Sequence, residues 1–395
     1  MRQAVILVGG KASRLGTLSG DRPKPFLDIA GTPFIDRLIA HAKRQGIEEI
    51  ILLAGHAAGW IKDHFTTSVP GITVKLAVEQ APKGTAGALL SAADLLDPRF
   101  LMLNGDSILD GNWCALHPLL SEDAAIALAV RTIEDTGRYG RVVMDGDQVT
   151  SFAEKTGGGA GEINAGIYAV DRDAVMALIS GPASMEQDII PSLVEAGRVR
   201  AARLDGYFID IGLPDTLKDA QRTLDDNLRR PAVVFDRDNT LVIDKGYTHR
   251  IEDLVWTPGA MDAIRAANDA HYRVFVATNQ AGIARGLYGE AELLAFHKAM
   301  QAQLHLAGAH IDGFYHCPHH PDGTVEGLSG ACACRKPATG MLGAIFKDHD
   351  LDRAGSLMIG DADKDIACGE AFGLKALRYS GGSLAALCKE KGLFG

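Results

Sequence analysis

The most constraining feature of this sequence lies past its middle. The apolar run Val233, Val234, Phe235 stops abruptly at Asp236, and a second aspartate, Asp238, follows, then Asn239, Thr240 and Leu241. Such a run reads as a buried strand. Two carboxylates delivered at its C-terminal end are a site-building device of an open α/β sheet, where ligands bind beyond the carboxyl ends of the strands. The start of the chain carries a comparable device. Residues 3–8 read as an apolar strand that runs into Gly9, Gly10, Lys11, Ala12, Ser13, Arg14, Leu15 and Gly16, with Lys24 between two prolines further on. A glycine-rich turn after a strand lets backbone N–H groups approach phosphate oxygens, and Arg14 and Lys24 add positive charge. No Gly-Lys-Ser/Thr closes this loop and it holds no G-x-G-x-x-G, so it is neither a Walker loop nor a dinucleotide fingerprint. Two devices so far apart pose the question of one enzyme or two.

Length favours two. The 395 residues are long for one core. The polar stretch from Asp225 to Pro231 marks a boundary, giving domains 1–228 and 229–395. A net charge of −10 argues against a nucleic-acid partner. No apolar run reaches membrane-spanning length, and the first is too short for a secretory core, so a cytoplasmic protein without a membrane partner is expected. Helices are expected at about 34–45, 84–96 and 214–228, and a glycine-rich mobile loop at 156–162. Of six cysteines, Cys114, Cys368 and Cys388 are scattered, whereas Cys317, Cys332 and Cys334 cluster. With a histidine they form C-x-H…C-x-C, three thiolates and one imidazole, which suits tetrahedral Zn²⁺ with no open position and hence a structural role. His319 and His320 compete for the fourth place.

The first half resembles the sugar-phosphate nucleotidyltransferases, whose pattern G-G-x-G-x-R-L…P-K-P covers the loop at 9–25. Ala12 stands where the family usually has glycine. If that position needs a positive φ, alanine costs about 1 kcal/mol or more. The resemblance spans about residues 1–225 and implies the following roles. Gly9, Gly10, Arg14, Lys24, Glu79, Gly84 and Thr85 bind the nucleotide. Asp106 and Asp210, at the ends of Leu101–Asp106 and Phe208–Asp210, bind Mg²⁺. Glu154 and Lys155 hold the sugar phosphate, and Asn164, in an N-x-G-x-Y run, contacts the sugar. A sugar 1-phosphate oxygen then attacks the α-phosphorus of a nucleoside triphosphate and pyrophosphate leaves. Alignment and charge neutralisation carry the rate, with Arg14 and Lys24 catalytic.

The second half resembles the haloacid-dehalogenase-type phosphatases, and within them the heptose-bisphosphate and histidinol-phosphate group. Asp236-x-Asp238-x-Thr240 matches the first motif, the strand ending in Thr278, Asn279 and Gln280 the second, Arg335-Lys336-Pro337 the third, and Gly360-Asp361 with Asp365 beyond the fourth. Asn239 replaces the commoner glycine, and asparagine tolerates left-handed geometry. The resemblance makes Asp236 the nucleophile and Asp238 the general acid and base. It assigns Mg²⁺ to Asp236, Asp361 and the backbone near Asp238, and the substrate to Asp244, Tyr247, Thr278, Asn279, Gln280, Arg335 and Lys336. It favours His319 over His320 as the zinc ligand, pinning the loop that presents Arg335 and Lys336. The stretch 242–272 is too short for a large cap.

Taken together the resemblances imply an α/β protein of two doubly wound domains, an N-terminal Rossmann-like nucleotidyltransferase and a C-terminal haloacid-dehalogenase-like domain. The expected substrates are sugar phosphates and a nucleoside triphosphate. The expected reactions are removal of the 7-phosphate from a heptose 1,7-bisphosphate and nucleotidyl transfer, GMP favoured, to the heptose 1-phosphate. Two alternatives stay open: a phosphatase for histidinol phosphate or another small phosphate, and a phosphatase regulated by an N-terminal nucleotide-sensing module. Oligomerisation is open as well.

Overall fold

The computed structural model describes residues 1–9, 15, 22–55, 58–65, 69–154 and 158–394. The expectations placed on Gly10, Ala12, Arg14 and Lys155 lie outside these residues, as does the side chain of Glu154. The chain divides into two compact units, Met1–Leu228 and Arg229–Gly395.

The first unit is built on strands β1 (Gln3–Leu7), β2 (Glu49–Ala54), β3 (Thr73–Val78), β4 (Arg99–Asn104), β5 (Ser107–Asp110), β6 (Ile126–Ile133), β7 (Gly140–Asp145), β8 (Gln148–Glu154), β9 (Gly161–Asp171), β10 (Val199–Arg203) and β11 (Tyr207–Asp210). Nine of them form one sheet in the order β3-β2-β1-β4-β9-β6-β10-β8-β7, and β5 pairs with β11 in a separate ribbon. The β3-β2-β1-β4 portion is parallel, and β9 then runs antiparallel to both β4 and β6. The sheet is therefore Rossmann-like over its first four strands and mixed beyond them. Its strands are apolar on both faces because both are covered. Ala4, Ile6, Ile50 and Leu52 enter one core, with Leu38 and Ala42 of helix Phe34–Arg44 and Leu217 and Leu224 of helix Pro214–Leu228. Val5, Ile51, Leu53 and Met102 enter the other, with Leu193 of helix Ile190–Glu195.

Two expectations change here. The segment 84–96 is one short α-turn, Gly84–Gly87, continued as a 3₁₀ helix over Ala88–Leu95. The N–H groups of Ala86 and Gly87 both donate to Ala183 O, tying its start to a neighbouring loop. The glycine-rich stretch is shorter than expected, since Gly161 and Glu162 already pair with β6.

The second unit has strands β12 (Arg230–Phe235), β13 (Arg273–Asn279), β14 (Gly313–Cys317), β15 (Leu351–Gly360) and β16 (Lys375–Arg378), all parallel in the order β14-β13-β12-β15-β16. This is the doubly wound order, and its switch point falls between β12 and β15. Asp236 and Asp361 follow those two strands. Val233, Phe235, Val274 and Val276 pack with Phe296 and Met300 of helix Glu290–Leu306, while Ala232, Val234 and Phe275 pack with Leu342 and Ile345 of helix Gly340–Asp348. Among the described residues no helix is long and apolar enough to cross a membrane.

Each unit has its own core on both faces of its own sheet. We expect residues 1–228 and 229–395, produced separately, each to unfold in a single cooperative transition when circular dichroism is followed on heating. A half without such a transition would have an incomplete core.

Two candidate active sites and a cysteine–histidine cluster

In the first unit, Asp106 follows β4, which lies beside β1. The turn after β4 fits against the end of β1 because residue 105 is glycine: a Cβ there would stand 2.2 Å from Leu7 O. Asp210 reaches Asp106 through the β5–β11 ribbon, in which Asp210 pairs with Ser107 and Ile211 N donates to Asp106 O at 2.9 Å. Lys24 Nζ donates to Asp106 Oδ2 at 3.0 Å. Two cavities share these groups. One, of about 200 Å³, is lined by Lys24, Thr85, Asn104, Gly105, Asp106 and Glu186. The other, of about 340 Å³, is lined by Lys24, Asp106, Arg138, Tyr139, Asp210 and Gly212. Lys24 and Asp106 thus line both cavities and Asp210 the larger one, an arrangement that sets a cation and carboxylates where phosphate oxygens could be neutralised. Gly9, two residues past β1, is exposed.

Several expected residues are also held by neighbours within the unit. The Glu79 carboxylate accepts from Lys83 N at 3.3 Å and so ties the loop that leads into Gly84, whose φ is +78°. Thr85 Oγ1 donates to Glu186 Oε2 at 2.9 Å and accepts from Met185 N. Asn164 is engaged by Tyr168 Oη at 2.8 Å and by Gly166 N at 3.1 Å, inside an irregular stretch of β9. Gly166 has φ +75°, and a Cβ there would lie 2.6 Å from Asn104 Nδ2. Glu154 pairs through its backbone with Gly140 at the end of β8. Glu186, Arg138 and Tyr139 were missed from the sequence. Glu186 accepts from Thr85, Tyr168 and Ser184 and faces the smaller cavity. Burial, with Glu186 close by, holds the Tyr168 phenol well above its ordinary range.

In the second unit, Lys336 is fully buried between Asp236 Oδ1 at 2.6 Å and Asp365 Oδ1 at 2.7 Å, and donates also to Ala277 O at 2.7 Å. Burial alone would favour the neutral amine, but Asp236 and Asp365 outweigh it and hold the ammonium above its ordinary range. Asn279 positions this lysine through a two-way pair with its backbone, Lys336 N to Oδ1 at 3.0 Å and Nδ2 to Lys336 O at 3.1 Å. Asp236, Asp361 and Asp365 bring carboxylate oxygens within reach of one ion. Burial raises the Asp361 carboxyl, and Asp236 and Asp365 raise it further, the crowding that a divalent cation relieves.

Asp365 is an addition to the expected carboxylates, while the Asp238 side chain, of which only the neighbouring backbone was expected at the metal, is engaged elsewhere. Asp238 Oδ1 instead meets Arg237 Nη2 at 2.7 Å, and Oδ2 accepts from Gln280 Nε2 at 2.9 Å. Burial raises the Asp238 carboxyl; Arg237 opposes this and Asp236 adds to it. Gln280, expected on the substrate, is 2% exposed and faces Asp238. The Asp244 carboxylate accepts from Gly246 N, Thr248 N and Thr248 Oγ1 at 2.8–3.1 Å, so it shapes its own loop. That loop leaves Tyr247 half-exposed against the Arg285 guanidinium. Asn239 has φ +60°, the left-handed geometry anticipated for it.

Cys317, His319, Cys332 and Cys334 converge. The sulfur pairs are 3.0, 3.5 and 3.6 Å apart, and His319 Nδ1 lies 3.4 and 3.8 Å from Cys334 and Cys317. A tetrahedral Zn–S₄ edge is about 3.8 Å, so the cluster has nearly the dimensions of a metal site. His320 faces away, its Nδ1 accepting from Asp322 N. Arg335 Nη1 donates to His319 O at 3.2 Å, which links the cluster to the segment carrying Lys336.

Lys336→Met would leave Asp236 and Asp365 buried and facing each other. We expect the 229–395 unit to lose about 3–5 kcal/mol of unfolding free energy in magnesium-free urea titrations, with part restored by Mg²⁺. An unchanged midpoint would show that the triad carries no such load.

Comparison with known proteins agrees with this geometry. The nucleotidyl transferase family model matches residues 3–227, and a HAD-hydrolase-like model matches 333–389. A D-glycero-alpha-D-manno-heptose 1-phosphate guanylyltransferase of Campylobacter jejuni is 34% identical over 214 residues, 54% of this chain and 96% of that protein. A D-glycero-beta-D-manno-heptose-1,7-bisphosphate 7-phosphatase of Rhodopseudomonas palustris is 38% identical over 162 residues, 41% of this chain and 90% of that protein. The crystal structure of HddC from Yersinia pseudotuberculosis complexed with GMP-PN superposes with a TM-score of 0.51 at 32% identity, covering 57% of this chain and all of that one. The chain belongs to the nucleotidyl transferase family and carries a HAD-hydrolase-like phosphatase domain behind it.

Proposed function

We propose that the protein is a bifunctional enzyme of nucleotide-activated heptose synthesis. It removes the 7-phosphate of a heptose 1,7-bisphosphate and transfers GMP from GTP to the resulting heptose 1-phosphate. The observation that carries this reading is that the relative of one half leaves a heptose 1-phosphate and the relative of the other half uses a heptose 1-phosphate. The two relatives name opposite anomers, β for the phosphatase and α for the guanylyltransferase. Hydrolysis at the 7-position leaves C1 untouched. Consecutive action therefore requires one anomer throughout, and the transferase relative makes that the α form. The second reading, a regulatory N-terminal half, is disfavoured by the Lys24–Asp106 pair at the junction of two cavities.

In the phosphatase, an Asp236 carboxylate oxygen attacks phosphorus, the P–O bond to the sugar breaks, and Asp238 gives its proton to the leaving oxygen. Water then attacks the aspartyl-phosphate, loses a proton to Asp238, and releases phosphate and Asp236. Thr278 and Lys336 hold the phosphoryl oxygens. Asp236, Asp361 and Asp365 would hold Mg²⁺, which screens carboxylate from phosphate. In the transferase, Asp106 and Asp210 would hold Mg²⁺, Lys24 and Arg14 receive the pyrophosphate charge, and Lys155 orients the attacking phosphate. Thr85 and the loop anchored by Glu79 border the nucleotide. The cysteine–histidine cluster would hold a structural Zn²⁺. The reading puts the enzyme in the cytoplasm, upstream of lipopolysaccharide-type assembly.

The test is to supply each anomer of the bisphosphate with Mg²⁺ and one nucleoside triphosphate at a time. We expect phosphate from the α anomer, and pyrophosphate with GTP alone. Phosphate without pyrophosphate for any triphosphate would sink the bifunctional claim. Asp236→Asn should abolish phosphate release and spare pyrophosphate release from supplied heptose 1-phosphate, measured by separate coupled assays; joint loss would contradict two sites. Purified protein should contain about one zinc per chain by mass spectrometry. Cys334→Ser should lose it and lower the melting temperature of the 229–395 unit; retention of zinc would exclude the cluster as its site.

A further inference from the structure

The buried amide of Gln280 has no part in the chemistry described so far, yet all its hydrogen-bonding capacity is in use. Its Nε2 donates to Asp238 Oδ2 at 2.9 Å and to Thr278 Oγ1 at 2.7 Å. Its Oε1 accepts from Tyr288 Oη at 2.5 Å and from Arg237 Nη2 at 3.2 Å. A primary amide offers two donor hydrogens and two acceptor lone pairs, and here each has a partner. The orientation is fixed as well. An arginine can only donate, so the atom facing Arg237 must be the oxygen and the atom facing Asp238 the nitrogen. Arg237 is itself fully buried, stacked over the Phe296 ring at 4.9 Å and bonded to Thr248 O at 2.7 Å. The clamp is therefore tied both to the core, through Phe296, and to the loop at Thr248.

We propose that Gln280, locked by Arg237 and Tyr288, is a positioning residue that holds the Asp238 carboxyl for proton transfer to the leaving alcohol. The inference rests on the phosphatase reading of Asp236 and Asp238. Asp238 sits on a tight turn after β12, and its side chain remains 24% exposed, so rotation toward solvent is open to it. Arg237 grips one carboxylate oxygen and Gln280 the other, which fixes the plane of the group. The second Gln280 donor occupies a lone pair on Thr278 Oγ1. The threonine hydroxyl in turn donates to Asp238 Oδ2 at 3.4 Å, so amide and hydroxyl converge on the same carboxylate oxygen. One amide thus holds the acid twice, directly and through Thr278, which a residue merely satisfying core polar groups need not do.

The test exploits leaving-group chemistry, since a p-nitrophenolate departs without being protonated and a sugar alkoxide does not. Because kcat/KM covers events up to departure of the alcohol, it is measured for heptose 1,7-bisphosphate and for p-nitrophenyl phosphate. For Gln280→Leu we expect kcat/KM to fall about 30-fold or more on the sugar phosphate and less than about threefold on the aryl phosphate, within the range general acid catalysis supplies. Tyr288→Phe, which removes a single hydroxyl from the clamp, should show the same selectivity at smaller size and serves if Gln280→Leu does not fold. The retained activity on p-nitrophenyl phosphate reports a folded phosphatase half in the same sample. Equal loss on both substrates, or loss on neither, would overturn the proposal. If Asp236→Asn keeps wild-type phosphate release, the phosphatase reading itself fails; if Asp236→Asn is inactive, a failure of the Gln280 test falls on the positioning role alone.

Discussion

A lysine ammonium enclosed by two aspartates at the edge of a parallel sheet governs the second half of this molecule. An unpaired charge at such depth costs several kcal/mol, and a carboxylate pair without a cation is no better. Lys336, Asp236 and Asp365 therefore have to be placed together. Much of the surrounding structure can be understood as what keeps them so. Asn279 fixes the lysine backbone from the end of β13, and Asp236 N donates to Ile359 O across the switch point. The cysteine–histidine cluster, one residue before Arg335, holds the approach of the same segment. The triad thus ties the ends of the central strands to the loop that completes the site.

Much of this was legible in the sequence, and the reasons are physical. Apolar runs that end in aspartate, at 233–236 and 357–361, identify buried parallel strands and the side of the sheet on which chemistry collects. The fold class, the two families and the cysteine–histidine cluster follow from local patterns of that kind. Asn239 was readable because only a few residue types accept a left-handed turn, and the structure has it at φ +60°.

What was not legible depended on side-chain direction. A motif shows that Asp238, Asn279 and Gln280 are near the site. It does not show that Asp238 turns to Arg237 and Gln280 instead of the carboxylate group, because that choice is made by a buried guanidinium over Phe296. Asp244 reads as an exposed acid beside a site, yet three donors within its own loop engage it. Glu186 carries no signal at all in the sequence: it lies in the first turn of a short helical segment, where acids are common. Its place at the cavity comes from a loop that folds back beside Thr85.

The close approach of Gly105 to Leu7 O bears on how such an enzyme can change. Asp106 hangs from a strand end pressed against another strand end, and Asp210 from an antiparallel rung beside it. Neither depends on a long loop for its position. Loops tolerate insertion and drift far better than strand junctions do. A lineage could therefore exchange the segments that recognise base and sugar while the phosphate chemistry stays in register. Such separable inheritance would let one scaffold serve many activated sugars, with the choice of sugar evolving independently of the reaction.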